Sequence, residues 1–300
     1  MKRISWGIAL ALVLGLAAGC SGKTSQPSAT ELMIIPATSM TVSEPPQGSA
    51  TPQADTSPSG TPVKPGAPAI GLTVKQIAKS ATTAAMVVDR QLNQTLLAEN
   101  TDREFHSGSL VKLMIGLDAL QRHPRDTGVA SRVATMIRLS DDDIASSFWV
   151  SEGGVAIVSR MVRLMNLKST KPPVQASQWG ETIITAADIF RIYDYLMNQA
   201  PAGDKETMLR AMASAAPRGS DGFDQRFGIP NALGGQFPWA IKQAWTDDDT
   251  TMSVHTTGFV GPNWRYVVIV LVENPKATSW NTATQAITAG VKNIDFLLGR

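Results

Sequence analysis

Ser109-Leu110-Val111-Lys112 is the single Ser-x-x-Lys of the chain. Three residues apart in a helix, a hydroxyl and an amine share one face, and a neutral lysine there can take the serine proton. A serine hydroxyl is a poor nucleophile. An ordinary lysine, with a pKa of about 10.4, is charged at neutral pH, so the pair is reactive only where its surroundings lower that pKa. Alone, the pattern more often describes a capped helix with a surface lysine. Two further groups give it weight: Ser140-Asp141-Asp142 downstream, and Lys242-Gln243-Ala244-Trp245 near the C-terminal end.

Other chemistries find less support. Gly-x-Ser-x-Gly is absent, which argues against a nucleophile elbow. His106, His123 and His255 are dispersed without His-Glu-x-x-His, and read as surface or packing residues. Asp141 to Asp143 and Asp247 to Asp249 invite a calcium reading, but the second run lies between expected strands and suits a solvated hairpin turn. Trp149, Trp179, Trp239, Trp264 and Trp280 are expected mainly in the core. Cys20 is the sole cysteine, so neither an intramolecular disulfide nor a cysteine-based zinc site can form. No metal or cofactor is expected. The formal charge of +2, with 17% charged residues, provides no basic field for nucleic acid.

The elements that must position these groups begin well into the chain. Met1-Lys2-Arg3-Ile4, the uncharged run Ile8 to Ala18 and the small residues before Cys20 read as a secretory signal over residues 1–19. Ala17-Ala18-Gly19-Cys20 resembles a bacterial lipobox, which makes Cys20 the expected lipidated first residue of the mature chain. Membrane attachment, on the outer face of the cell membrane, is then expected through lipid and not charge. Residues 20–69 carry that cysteine and a Ser/Thr/Pro-rich stretch too polar to offset its chain entropy by burial, expected as a flexible tether. Residues 70–300 are long enough for one domain with a sizeable core.

Within that domain the patterns predict a helix over Thr73 to Ala81 and a hairpin of Ala84 to Asp89 with Thr95 to Leu97. The helix carrying Ser109 follows, then helices over Gly128 to Arg138, Asp142 to Trp149, Gly154 to Met165 and Thr185 to Asn198. The last has a start like a capping box, with Asp188 at the acidic position. Strands are expected over Ile241 to Trp245, Met252 to Phe259 and Tyr266 to Val272; the last is apolar throughout and therefore central, with both faces covered. A C-terminal helix presents Ala283, Ile287, Val291, Ile294 and Leu298 as one stripe. Strands at both ends with helices between imply an α/β (α+β) fold: one antiparallel sheet flanked by N- and C-terminal helices, plus a helical insert.

Phe105-His106-Ser107-Gly108-Ser109-Leu110-Val111-Lys112, Met136 to Asp142, Thr185-Ala186-Ala187-Asp188 and Lys242-Gln243-Ala244, in this order and on these elements, resemble the class A serine β-lactamases and penicillin-binding proteins. The resemblance implies a β-lactamase-like fold with Ser109 as the nucleophile acylated by an amide or β-lactam carbonyl. It implies Lys112 as base, Ser140 as proton relay, and Lys242 as holder of the substrate carboxylate that also keeps Lys112 neutral by like-charge repulsion. Gln243, Ala244 and Asp142 fall at substrate-binding positions. The backbone N–H groups of Ser109 and Trp245 fall at the oxyanion hole.

Three departures bear on activity. Asp142 stands where the family has an asparagine that donates to a substrate carbonyl, and a carboxylate only accepts. Its charge is expected to raise the pKa of Lys112, the wrong direction for a base. Gln243-Ala244 replaces Thr-Gly, adding a methyl where the strand approaches the serine. The Glu-x-x-Leu-Asn stretch that activates the deacylating water is absent; Glu181, the only acid between Lys168 and Thr185, is read as structural. Acyl transfer on peptidoglycan-type peptides or β-lactams with weak deacylation is therefore one expectation. The alternative is a catalytically silent module that binds cell-wall peptide or a protein partner through the same cleft.

Overall fold

A computed structural model describes residues 69–298. The signal sequence, Cys20 and the tether expected before Ala69 lie outside the described residues. Among the described residues no helix is long and apolar enough to cross a membrane.

The sheet is built from both ends of the domain. Strands β1 (Thr82–Asp89), β2 (Gln94–Glu99), β5 (Trp239–Asp247), β6 (Thr251–Val260) and β7 (Tyr266–Pro275) pair antiparallel in the order β2-β1-β7-β6-β5. β7, apolar from Tyr266 to Val272, is the middle strand as its composition required. Alternation sorts its side chains: Val267, Ile269 and Leu271 join one core, and Val268, Val270 and Val272 the other. The second core is closed by α1 (Ile70–Ile77) and α9 (Trp280–Lys292), with Ala283, Ile287, Val291, Ile294 and Leu298 all buried. The first is closed by α2 (Lys112–Arg122), α3 (Thr127–Leu139), α4 (Asp142–Ser151), α5 (Val155–Leu164) and α6 (Ala186–Asn198). The α/β arrangement of one antiparallel sheet between helical layers is thus present.

Side-chain caps set the helix starts. Asp126 accepts from Val129 N at 3.0 Å at the head of α3, and Asp141 from Ile144 N at 2.9 Å at the head of α4. Thr185 caps α6 through Asp188 N at 3.1 Å, but the reciprocal half of the expected capping box does not form. The buried Asp188 carboxylate turns away to accept from the N–H groups of Lys168, Ser169 and Thr170, pinning the segment that leads to β4 (Ile183–Ile184).

Differences from the sequence reading have local causes. α1 begins at Ile70 and stops at Ile77, because Ser80 takes a positive φ of 65° that turns the chain into β1. Helix α7 (Ala202–Ala213) was not anticipated: only Met208, Ala211 and Met212 of its residues are buried, too sparse a stripe to read as a period. α8 (Ile229–Leu233) spans barely one turn around Pro230. Asp247 ends β5, and Asp248 and Asp249 do lie in a hairpin turn, in which Asp248 accepts from Thr250 N and Thr251 N at 2.7 Å each. Those bonds hold its carboxyl below the ordinary range against the opposing effect of burial.

Candidate active site

The nucleophile candidate sits on a tight entry. β3 (Phe105–His106) leads through Gly108, at φ 48°, into a 3-10 turn (Gly108–Val111) that continues directly as α2. Ser109 therefore lies in the first turn of a helical segment, where backbone N–H groups have no intrahelical partner. Two tethers fix this entry. Ser107 donates to Thr182 O at 2.8 Å and through its hydroxyl to Gly180 O at 3.2 Å, and the buried His255 of β6 donates from Nε2 to His106 O at 2.9 Å. Val272 N donates to His255 Nδ1 at 3.2 Å, which assigns the Nε2–H tautomer. With both nitrogens engaged and no solvent contact, the imidazole is pushed down to about 4, burial being the main cause.

Lys112 Nζ lies 2.7 Å from Ser109 Oγ and 2.6 Å from Asp142 Oδ1, with the indole of Trp179 at 4.3 Å. The lysine side chain is 0% exposed and that of Asp142 63%. Burial is the largest influence on Lys112 and lowers its pKa; Asp142 and, more weakly, Asp141 and Asp221 oppose it without reversing it. Asp142 acts in the expected direction, but desolvation of a fully enclosed ammonium outweighs the attraction of a half-solvated carboxylate, so the net shift of Lys112 is downward. A neutral Lys112 can donate to Asp142 and offer its lone pair to the Ser109 hydroxyl within the observed distances.

Ser140 terminates α3 in the left-handed region, at φ 53°, and this turn releases Asp141 to cap α4 and places Asp142 at its first position. Lys242, on β5, reaches across to donate to Ser140 Oγ and to Gln243 O, both at 2.8 Å. It too is buried, and its pKa is well below the ordinary value because of burial first and the neighbouring charge of Lys112 second. The repulsion expected to neutralise Lys112 is thus felt at Lys242.

The strand register divides the residues after Lys242. Ala244 is on the face of Lys242, fully buried, and a methyl built on Gly108 would stand 3.3 Å from its Cβ. Gly108 thus supplies the space that Ala244 fills, so the methyl does not project into solvent. Gln243 points to the opposite face and donates from Nε2 to Gln225 O at 3.0 Å and Phe227 O at 2.6 Å. Its expected place against a substrate is corrected by this alternation. Trp245 stacks on Phe223, with centroids 4.8 Å apart, and its indole donates to Asp221 Oδ2 at 2.8 Å. β5 is an edge strand, so half of its N–H groups are free of the ladder, a condition Trp245 N must meet to serve a ligand.

Several residues position the site without having been given that role by the sequence. Trp179 covers Lys112, His255 holds the strand before Ser109, and Asp221 holds Trp245. Gln225 donates to Arg138 O and Ala216 O, tying the loop before β5 to the end of α3. Each depends on contacts distant in the chain, so no local pattern marks it. Glu181 lies in a 3-10 turn (Trp179–Glu181) beside the Ser107 tether, and no hydrogen-bonded or ionic partner of its side chain is present among the described residues. A cavity of about 690 Å³ between the ends of α2, α3, α6 and α7 shares no lining residue with this site. Among the described residues no group of three His, Cys, Asp or Glu could hold a metal ion.

Comparison with solved structures agrees with this architecture. A class A β-lactamase from Bacteroides cellulosilyticus superposes with a TM-score of 0.59 at 17% identity, covering 76% of this chain and 96% of its own. A β-lactamase from Chitinophaga pinensis gives 0.62 at 13% identity, covering 77% and 99%. At such identities the likeness establishes the fold. No protein-family model matches the chain. In sequence, the chain is 34% identical over 221 residues to "Putative lipoprotein LppW" of Mycobacterium tuberculosis and of Mycobacterium bovis, covering 70% of this chain and 69% of theirs. With the β-lactamase fold in place and this relation spanning most of it, the chain belongs to the LppW lipoprotein family and is a β-lactamase-like lipoprotein.

Proposed function

We propose that this lipoprotein uses Ser109 to accept an acyl group from peptidoglycan-type peptides or β-lactams, and releases it slowly. The observation that supports this most directly is the 2.7 Å contact of Ser109 Oγ with Nζ of a fully buried lysine whose pKa is lowered. In the proposed step the Ser109 oxygen attacks the carbonyl carbon as its proton passes to Lys112. The Ser109 and Trp245 N–H groups stabilise the oxyanion, and Ser140, held by Lys242, delivers a proton to the departing nitrogen. Attachment through Cys20 to the outer face of the cell membrane would place this chemistry beside the cell wall.

Intact-protein mass after incubation with benzylpenicillin tests the reading. The wild type gains the full mass of the drug and Ser109→Ala gains none; equal labelling of both, or of neither while both are folded, overturns it. The second reading, a silent module binding cell-wall peptide or a protein, is favoured by one observation. Asp142, 2.6 Å from Lys112, favours the charged form of the lysine, which cannot act as a base.

A further inference from the structure

Asp142 gives the mouth of this site a polarity of its own. Its Oδ1 is taken by Lys112, and among the described residues no donor reaches its second oxygen, although the side chain is 63% exposed. The flanking groups have the same character. Asp141 caps α4, Asp143 follows Asp142 in the first turn, and Asp221, beside Trp245, acts electrostatically on both Lys112 and Lys242. Three carboxylates outweigh the half positive charge of the α4 N-terminus. The two lysines are enclosed, with Lys112 Nζ directed to Ser109 and Asp142 and Lys242 Nζ to Ser140 and Gln243 O, so neither is presented to solvent at the mouth. A ligand carbonyl brought to Asp142 would set acceptor against acceptor. An N–H of the ligand would be accepted, and a charged one most strongly, because charge-assisted hydrogen bonds are about twice as strong as neutral ones.

We propose that the ligand of this cleft presents a primary ammonium group to the free oxygen of Asp142, so that the substrate class is amino-bearing peptides or amino-bearing β-lactams. This rests on the acyl-transfer reading for the fate of the ligand, but not for its recognition. A consequence follows for the chemistry. An ammonium at Asp142 shares the carboxylate now engaged by Lys112, and weakens the one strong influence that favours the charged lysine. Arrival of the correct ligand therefore frees the Lys112 lone pair for the Ser109 proton.

The probes are ampicillin, which carries an ammonium on the carbon next to its side-chain carbonyl, and benzylpenicillin, which lacks it. Equilibrium binding is measured by calorimetry at pH 6 on Ser109→Ala, which cannot be acylated at that oxygen. Ampicillin is expected to bind about 10-fold more tightly, the scale of one charge-assisted hydrogen bond. The preference should vanish in Ser109→Ala/Asp142→Asn and in Ser109→Ala/Asp142→Ser, and shrink with added salt. Equal affinities, a preference that survives loss of the carboxylate, or no binding of either drug overturns the proposal. Mass measurements on the wild type separate the two claims. Adducts with both drugs but no binding preference leave acyl transfer standing and remove ammonium recognition. A binding preference without adducts does the reverse.

Discussion

Lys112, fully enclosed, and Asp142, more than half exposed, meet at 2.6 Å. One end of the pair lies in a low-dielectric interior and the other in water, so the interaction does not act equally on its members. Burial lowers the lysine pKa and the carboxylate only moderates the effect. The residue that removes a hydrogen-bond donor from the cleft thus leaves the base candidate able to lose its proton.

Asp142→Asn should accelerate acylation of Ser109 by benzylpenicillin. Removing the carboxylate deletes the main influence that raises the Lys112 pKa, and supplies a donor for a ligand carbonyl. Lys112 must be neutral to act, so the rate rises with pH through its pKa. The inflection in the variant should lie at lower pH than in the wild type. Stopped-flow acylation rates across pH check this; an unchanged inflection would show that Lys112 is not the titrating base.

The acyl-enzyme should be long-lived. No Glu-x-x-Leu-Asn stretch is present, and the Trp179 indole lies 4.3 Å from Lys112 Nζ. Loss of a general base commonly costs about 100- to 10,000-fold in rate. After free drug is removed, time-resolved mass spectra should keep the adduct for many minutes. Disappearance within seconds, with many turnovers, would point to another base, and Glu181→Gln would be the next variant to measure.

His255 should make the fold sensitive to acid. Its pKa falls from 6.5 to about 4 on folding, so between these values the unfolded chain binds a proton that the folded one does not. Its contribution is constant above the unfolded value and is lost as pH falls towards the folded one, by about 3 kcal/mol in all. Urea unfolding at pH 7 and pH 4 should show that extra loss in the wild type but not in His255→Gln. The same variant should slow acylation if the bond to His106 O sets the position of Ser109. Equal pH dependence in both proteins would refute the assignment.

Cys20→Ala should abolish incorporation of labelled palmitate and release the protein from the membrane fraction. Two acyl chains give stable anchoring, whereas the formal charge of +2 gives little attraction to anionic lipid. Unchanged incorporation would exclude the anchor.

The sequence alone carried what depends on local pattern and order. The apolar β7 could only be a strand covered on both faces, and the C-terminal stripe required a layer to bury it, which together required a sheet closed from both chain ends. Ser109 and Lys112 were legible because three residues of helical spacing place two side chains together without help from the rest of the fold. The balance of charge at the site was not legible. It turns on how completely Lys112 and Lys242 are enclosed, by Trp179 and by the meeting of α2, α4 and β5, and desolvation is a property of the assembled interior. The same limit applies to Gln243 and Ala244. Neighbours in the motif, they face opposite sides of a strand, one towards the loop at Gln225 and the other towards the space left by Gly108. Only tertiary structure decides what each side of a strand meets.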